Sequence, residues 1–245
     1  MRSWNGFLSG VLVGNRGLYR PCYHRWNPWY GLQRFERPLF DRSAMLSLVQ
    51  AHAPGYASAQ RDDLPLLAAA ATAVVDGELQ LFDSDAATIE PMHLMASTAI
   101  PVLFDPVTID GRAYWDGELM RDSMLPALVA RLRTTGRLQA GEPLRLVTIE
   151  QLPQRLPVVP RSGAEITYRM LNLLQIAKLA PRELDETGGV QWLRIRRPPL
   201  EHDGISGQFD YSPERIEQLV TQGRQAGDAA LHGTAAAAPP AVSAA

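Results

Sequence analysis

Thiols and lysines are almost missing from this sequence: Cys22 and Lys178 are the single representatives of each in 245 residues. A lone cysteine forms no internal disulfide, and with no second thiol it anchors no cysteine-based zinc site, so a reducing cytoplasm is the expected compartment. The basic charge is almost wholly arginine, which reads as gene base composition more readily than as an adaptation to clamp phosphate. No charge excess exists either: Lys+Arg 24 against Asp+Glu 26 leave −2, which excludes the basic footprint of a nucleic-acid binder. His24, His52, His93, His202 and His232 show no HxxxH or HxH spacing, so neither a metal nor any other cofactor is expected. Long apolar runs are lacking as well. The longest, Leu64 to Val75, is interrupted by Pro65 and falls short of the roughly 18 to 20 residues of a spanning helix. Finally, no Gly-x-Ser-x-Gly nucleophile elbow occurs. Gly6-Phe-Leu-Ser9-Gly10 has the wrong spacing, and Asp41-Arg-Ser43-Ala-Met45 lacks both glycines.

What is present suffices for a folded core, since 46% of the residues are hydrophobic. From Met1 to Phe35 there is no Asp or Glu, while Trp4, Trp26, Trp29, Tyr19, Tyr23 and Tyr30 crowd among arginines. Such a stretch fits peripheral contact with an anionic membrane surface, or an irregular loop packed by its own aromatics. Arg2 followed by Phe7 to Val13 has the outline of a secretory signal, but the apolar stretch is short and no small-x-small cleavage site follows. Gly14-Asn-Arg-Gly17 reads as a turn, with anion binding through its N–H groups as the sharper alternative.

Two Asp-Gly pairs predict hairpins, because that dipeptide accepts the positive φ angles of a type I′ turn. Asp76-Gly77 lies between Ala71–Val75 and Glu78–Phe82, and Asp110-Gly111 between Val107–Ile109 and Arg112–Trp115. Further strands are expected over Leu144–Ile149 and Val190–Arg196. Three helices follow from capping chemistry. One begins near Ser123 with Pro126 in its first turn and a stripe of Leu125, Leu128, Val129 and Leu132. A second opens on the capping box Ser162–Glu165, with Ile166, Met170, Leu173, Leu174 and Ala177 along one face that should pack. A third starts at Ser212-Pro213 and should turn Ile216, Leu219, Val220 and Leu231 inward. Strands interleaved with helices indicate an α/β fold.

The densest signal runs from Met92 to Leu128. It contains Ala96-Ser97-Thr98-Ala99-Ile100-Pro101, Phe104-Asp105-Pro106-Val107, Asp110-Gly111-Arg112-Ala113-Tyr114 and Asp116-Gly117-Glu118. In order and spacing these segments resemble the C-terminal part of a patatin-like phospholipase domain. Phe40 to Val49 resembles a segment that bacterial members place before the hairpins, and Gln208 to Arg224 resembles a C-terminal extension found on some of them. The resemblance implies a three-layer α/β/α fold and hydrolysis of acyl esters in lipids by a Ser-Asp dyad. It makes Asp116 the catalytic aspartate of the dyad, the base for the serine hydroxyl, with Gly117 supporting the motif by freeing the backbone to turn. It divides the chain into 1–135, the C-terminal portion of the hydrolase domain, and 136–233, its remainder with the extension; composition makes 234–245 a disordered Ala/Pro-rich tail.

Departures from the pattern set a second expectation. The Gly-rich oxyanion loop and the elbow lie upstream of the matched segment in the family, so this chain is expected to start past them and to be incomplete and inactive by itself. Glu118 stands where the family prefers Gly or Ala, and Asp122-Ser123-Met124-Leu125 replaces an Asn-x-Pro-Leu-like run. Three readings therefore stand: a piece of a lipid acyl hydrolase retaining Asp116, a non-catalytic relative that binds lipid or a partner protein, and a degenerate site built on Ser9 or Ser43. The expected partner is a lipid or acyl ester, with no nucleic acid.

Overall fold

The computed structural model describes residues 2–23, 39–57, 64–117, 124–139, 141–156, 158–178, 190–200, 203–204, 207 and 210–232. Expectations on Trp26, Trp29, Tyr30, Glu118, Asp122, Ser123 and the 234–245 tail lie outside them. The described residues form an α/β protein with two compact units, Leu12–Leu132 and Arg133–Ala245 together with Met1–Val11.

The unit Leu12–Leu132 is built on a four-stranded antiparallel sheet. Its strands are β3 (Ala68–Ala73), β4 (Leu79–Asp83), β5 (Val107–Ile109) and β6 (Arg112–Asp116), in the order β4-β3-β6-β5. A short pair, β1 (Arg20–Pro21) with β2 (Phe40–Asp41), leads into helix α2 (Ser43–His52), and α3 (Pro91–Ala96) joins β4 to β5; α1 (Arg2–Leu12) precedes them all. Alanine is a weak strand former, yet β3 is four alanines, a threonine and an alanine. Burial overrides propensity here, because β3 is central and covered on both faces.

Register assigns the faces, since directly paired residues point to the same side. Ala71, Ala73, Tyr114, Val107 and Asp116 share one face. There Ala71, Ala73, Tyr114 and Val107 pack with Met95, Ala96 and Ala99 in the main core, and Met45 and Leu46 of α2 close over it. On the other face Asp83 accepts from Arg131 Nε at 2.9 Å and Nη2 at 3.0 Å, which tethers α4 (Met124–Thr134). The predicted stripe of α4 holds, with Val129 buried and Leu125, Leu128 and Leu132 half-buried.

The two hairpins part company. At Asp110-Gly111 both φ angles are positive, +50° and +77°, and Ile109 pairs with Arg112, so the two-residue turn forms as predicted. At Asp76-Gly77 only Gly77 is positive, at +74°. Ala73 pairs its N–H with the Glu78 carbonyl, and Val74 to Gly77 make a four-residue loop, with Val75 exposed. The predicted strand is thus shifted toward the chain start: burial of the alanine run on both faces sets the register, and Val74 and Val75 are left beyond it.

The other unit pairs β7 (Leu144–Glu150) parallel to β8 (Val190–Arg196), with α5 (Gly163–Lys178) lying between them in the chain, as a parallel connection demands. Helix α6 (Pro213–His232) follows. Both predicted caps form. Ser162 Oγ accepts from the Glu165 N–H at 3.2 Å, and Glu165 Oε2 accepts from the Ser162 N–H at 3.1 Å. At α6 the Ser212 hydroxyl accepts from the Arg215 N–H at 3.4 Å. Of the predicted apolar faces, Leu219 of α6 is half-buried and the rest largely do not hold. On α5, Ile166, Met170, Leu173 and Leu174 are exposed; on α6, Ile216, Val220 and Leu231 are exposed while Arg215 and Gln222 are buried. On β7, Thr148 and Glu150 are buried and Val147 and Ile149 are exposed. The apolar residues do share a face on each helix, but the side buried in this unit is the polar one, with Asn172 on α5, Thr148 and Glu150 on β7 and Arg215 and Gln222 on α6.

Candidate active site

Asp116 is the last residue of β6, and its side chain lies on the helix-covered face, across from Ala71. Its backbone is held from two directions. The Asp116 N–H donates to the Ala99 carbonyl at 3.0 Å, and the Asp116 carbonyl accepts from Thr72 Oγ1 at 3.1 Å. One contact comes from the turn after α3, the other from β3, so the Asp116 backbone is fixed by the turn and the strand that flank it.

Gly117 has a different role from the one expected. Its φ is not among the positive ones, so no left-handed turn requires glycine. The requirement is steric: a Cβ at this position would stand 2.5 Å from the Ala70 carbonyl oxygen and 2.7 Å from its carbon. The strand exit passes against β3 too closely for any side chain.

Arg42 is the residue that sequence reasoning passed over. It is only 8% exposed, and its guanidinium donates to the Thr98 carbonyl at 2.9 Å, to Thr98 Oγ1 at 3.0 Å and to the Met95 carbonyl at 3.0 Å. Those carbonyls end α3, where helix geometry leaves acceptors without intrahelical partners and favours a cation. The guanidinium also lies 4.6 Å from the centre of the Phe104 ring. Phe104 belongs to an aromatic cluster with Tyr19 and Phe40, whose rings meet edge-on at 4.9 Å. Burial pulls the Arg42 pKa down, while the Coulomb attraction of Asp116 and then Asp105 opposes that pull. Arg42 thus fixes the turn that carries Ala99 and also places positive charge within the field of Asp116. The available signal was an arginine in Phe40 to Val49, a segment read for its serine.

The alternative nucleophiles are placed as follows. Ser43 is exposed at the start of α2, and its hydroxyl donates to Asp41 Oδ2 at 2.6 Å, a local contact that starts the helix. Ser9 is exposed on α1, in the unit that does not contain Asp116. Gly14 to Gly17 is a turn closed on itself: Asn15 Oδ1 accepts from the Gly17 N–H at 3.1 Å, and the Asn15 carbonyl accepts from Leu18 and Tyr19. His93 caps α3 by accepting the Glu90 N–H at 2.9 Å. Among the described residues no three His, Cys, Asp or Glu side chains are gathered as a metal set, and no helix is long and apolar enough to cross a membrane.

The family model of the patatin-like phospholipases matches residues 4–131, just over half of the chain. The chain belongs to the patatin-like phospholipase family. No curated protein matches it. The patatin-like region therefore contains the four-stranded sheet, Arg42, the 96–101 turn, Asp116 and Gly117, while the segment resembling a C-terminal extension lies beyond residue 131. A lipid-hydrolase role and a lipid substrate follow at the level of the family.

Proposed function

We propose that Asp116 is the base of a Ser-Asp dyad that hydrolyses acyl esters of lipids. The observation that carries this reading is the two-sided fixation of the Asp116 backbone, which aims its carboxylate along the covered face of the sheet. In such a dyad the carboxylate takes the serine proton as the serine oxygen attacks the ester carbonyl. It returns that proton to the departing alcohol, then takes one from the water that cleaves the acyl-enzyme.

We propose further that these 245 residues do not complete the cycle alone. They contain no Gly-x-Ser-x-Gly sequence, and the Ser43 hydroxyl hydrogen is committed to Asp41. A missing oxyanion donor would itself cost roughly 3 to 4 kcal/mol in the transition state. The test is hydrolysis of p-nitrophenyl butyrate together with fluorophosphonate labelling. The chain should show neither. Joined to any elbow encoded in frame ahead of Met1, it should gain turnover that Asp116→Asn abolishes. Turnover by the 245 residues that survives Asp116→Asn would overturn the assignment.

A second reading rests on α1. Leu8 and Leu12 of α1, and Val13 just past its end, are exposed within a stretch that carries no Asp or Glu up to Phe35. This supports peripheral contact of a cytoplasmic protein with an anionic bilayer. Co-sedimentation with phosphatidylserine vesicles that weakens as salt rises is the expected result. Equal sedimentation with phosphatidylcholine vesicles would remove the electrostatic part of the reading.

A further inference from the structure

The unit outside the family match holds a second polar centre, with no residue in common with the Asp116 site. Asp203 is almost fully buried, and its carboxylate is saturated. Oδ2 accepts from Arg197 Nη1 at 2.7 Å and from the Leu200 N–H, and Oδ1 accepts from Arg197 Nη2 at 2.8 Å and Arg215 Nη2 at 2.7 Å. Among the described residues two guanidinium groups thus meet one carboxylate, and one positive charge is left over.

The surplus falls on Arg215. Arg197 has further acceptors, the Gln151 carbonyl at 2.7 Å and Gln222 Oε1 at 3.3 Å. The Arg215 side chain is 6% exposed, and among the described residues its hydrogen bond goes to Asp203 alone and its Nε has no acceptor. A buried guanidinium short of acceptors is costly, and an anion is the partner that relieves it.

Space for one adjoins it. A cavity of about 480 Å³ has Arg197, Arg215 and Asp203 in its lining together with the apolar Leu152, Ile195 and Leu219. The other carboxylate on its wall, Glu150, is already bonded to Arg196 Nε at 2.7 Å. Gly223 and Gly227 of α6, one turn apart, also line the cavity, and a Cβ at either would meet nothing within 4 Å. This volume falls within the range of small-molecule sites, and its lining joins cationic groups to apolar walls.

We propose that this cavity binds an oxyanion borne on an apolar chain, a fatty carboxylate or an alkyl phosphate, with Arg215 and Arg197 on the anionic group. The proposal stands apart from the Asp116 reading and fails or holds independently of it. Its test is calorimetric titration of the full chain with octanoate, octyl phosphate, inorganic phosphate and octanol, each below its aggregation threshold. Octanoate or octyl phosphate should bind with one-to-one stoichiometry, and the tighter of the two names the anionic group. Inorganic phosphate and octanol should each bind at least about tenfold more weakly, because each offers half of the recognition. Arg215→Met leaves Asp203 paired with Arg197 and should weaken the octyl anion at least about tenfold. Gly227→Leu fills the cavity from a helix that tolerates leucine better than glycine, and should do the same with the arginines untouched. Absence of saturable binding, octanol or inorganic phosphate binding as tightly as the octyl anions, or affinity unchanged in both variants would each overturn it.

Discussion

The two units of this chain solve the problem of a stable interior by opposite means. In Leu12–Leu132 the sheet is buried by small apolar residues, Ala69, Ala70, Ala71 and Ala73 on one strand, and the buried Arg42 has an acceptor or a ring on several sides. In Arg133–Ala245 the described helices leave Ile166, Met170, Leu174, Val220 and Leu231 in solvent while Asp203, Arg215, Gln222 and Glu150 are buried. A small-residue core tolerates nothing larger, because the backbones themselves are in contact. A charge-centred interior tolerates larger side chains at its edges but not the loss of its central ion, which would leave its counter-charges unpaired.

Removing that ion should have the largest effect. Asp203→Ala leaves Arg197 and Arg215 facing each other without their carboxylate, and is expected to cost about 4 kcal/mol in urea denaturation. A loss under about 1 kcal/mol would show that water already shields the pair, and the contrast between the units would collapse. Next, Gly117→Ala drives a methyl into the Ala70 carbonyl and should cost about 3 kcal/mol, read from the thermal midpoint. A neutral outcome would mean that β3 and the β6 exit are loosely joined. The two units should also differ toward acid. Burial works to raise the Asp203 pKa, but hydrogen bonds from Arg197 and the Leu200 N–H, with Arg197 charge and Arg215, outweigh it and hold the carboxyl below the usual range. Its contribution is therefore complete above the ordinary aspartate value of about 3.9 and is lost as pH falls through the lower folded value. Hydrogen exchange should show β8 and α6 losing protection below about pH 4, and that extra loss should vanish in Asp203→Asn.

The smallest effect has the opposite sign. Val102 sits at φ +69° and is 74% exposed, a conformation that a β-branched residue adopts at a cost with little packing in return. Val102→Asn should stabilise the protein by about 1 kcal/mol, seen as a higher denaturation midpoint. No gain would indicate that the bonds from Leu39 to the Val102 carbonyl and from Phe40 to the Leu103 carbonyl impose the geometry whatever the residue.

Much of this was legible beforehand, for reasons that differ from element to element. The Asp110-Gly111 hairpin, β8 over Val190–Arg196 and the caps at Ser162 and Ser212 rest on interactions within a few residues, so sequence contains all that they need. Asp116 was reached through the resemblance of the surrounding motifs, and an Asp-Gly pair by itself would have read as a turn. Arg42 was missed because its partners lie more than 50 residues away, at Met95 and Thr98. The Asp76-Gly77 turn was misjudged because the burial of Ala68–Ala73, and not the dipeptide, decides where that strand ends.

What the sequence by itself determined is the local grammar and the lineage: where helices start, which dipeptide turns, which residues share a face, and the motif order that places the chain among the patatin-like phospholipases. What only the tertiary structure decided is which of those faces is inside, why Gly117 must be glycine, and which arginine stands in the field of Asp116. The physical reason is range. Capping and turn energies arise between neighbours in the chain, whereas burial and Coulomb energies are set by distances that exist only once strands distant in sequence have paired.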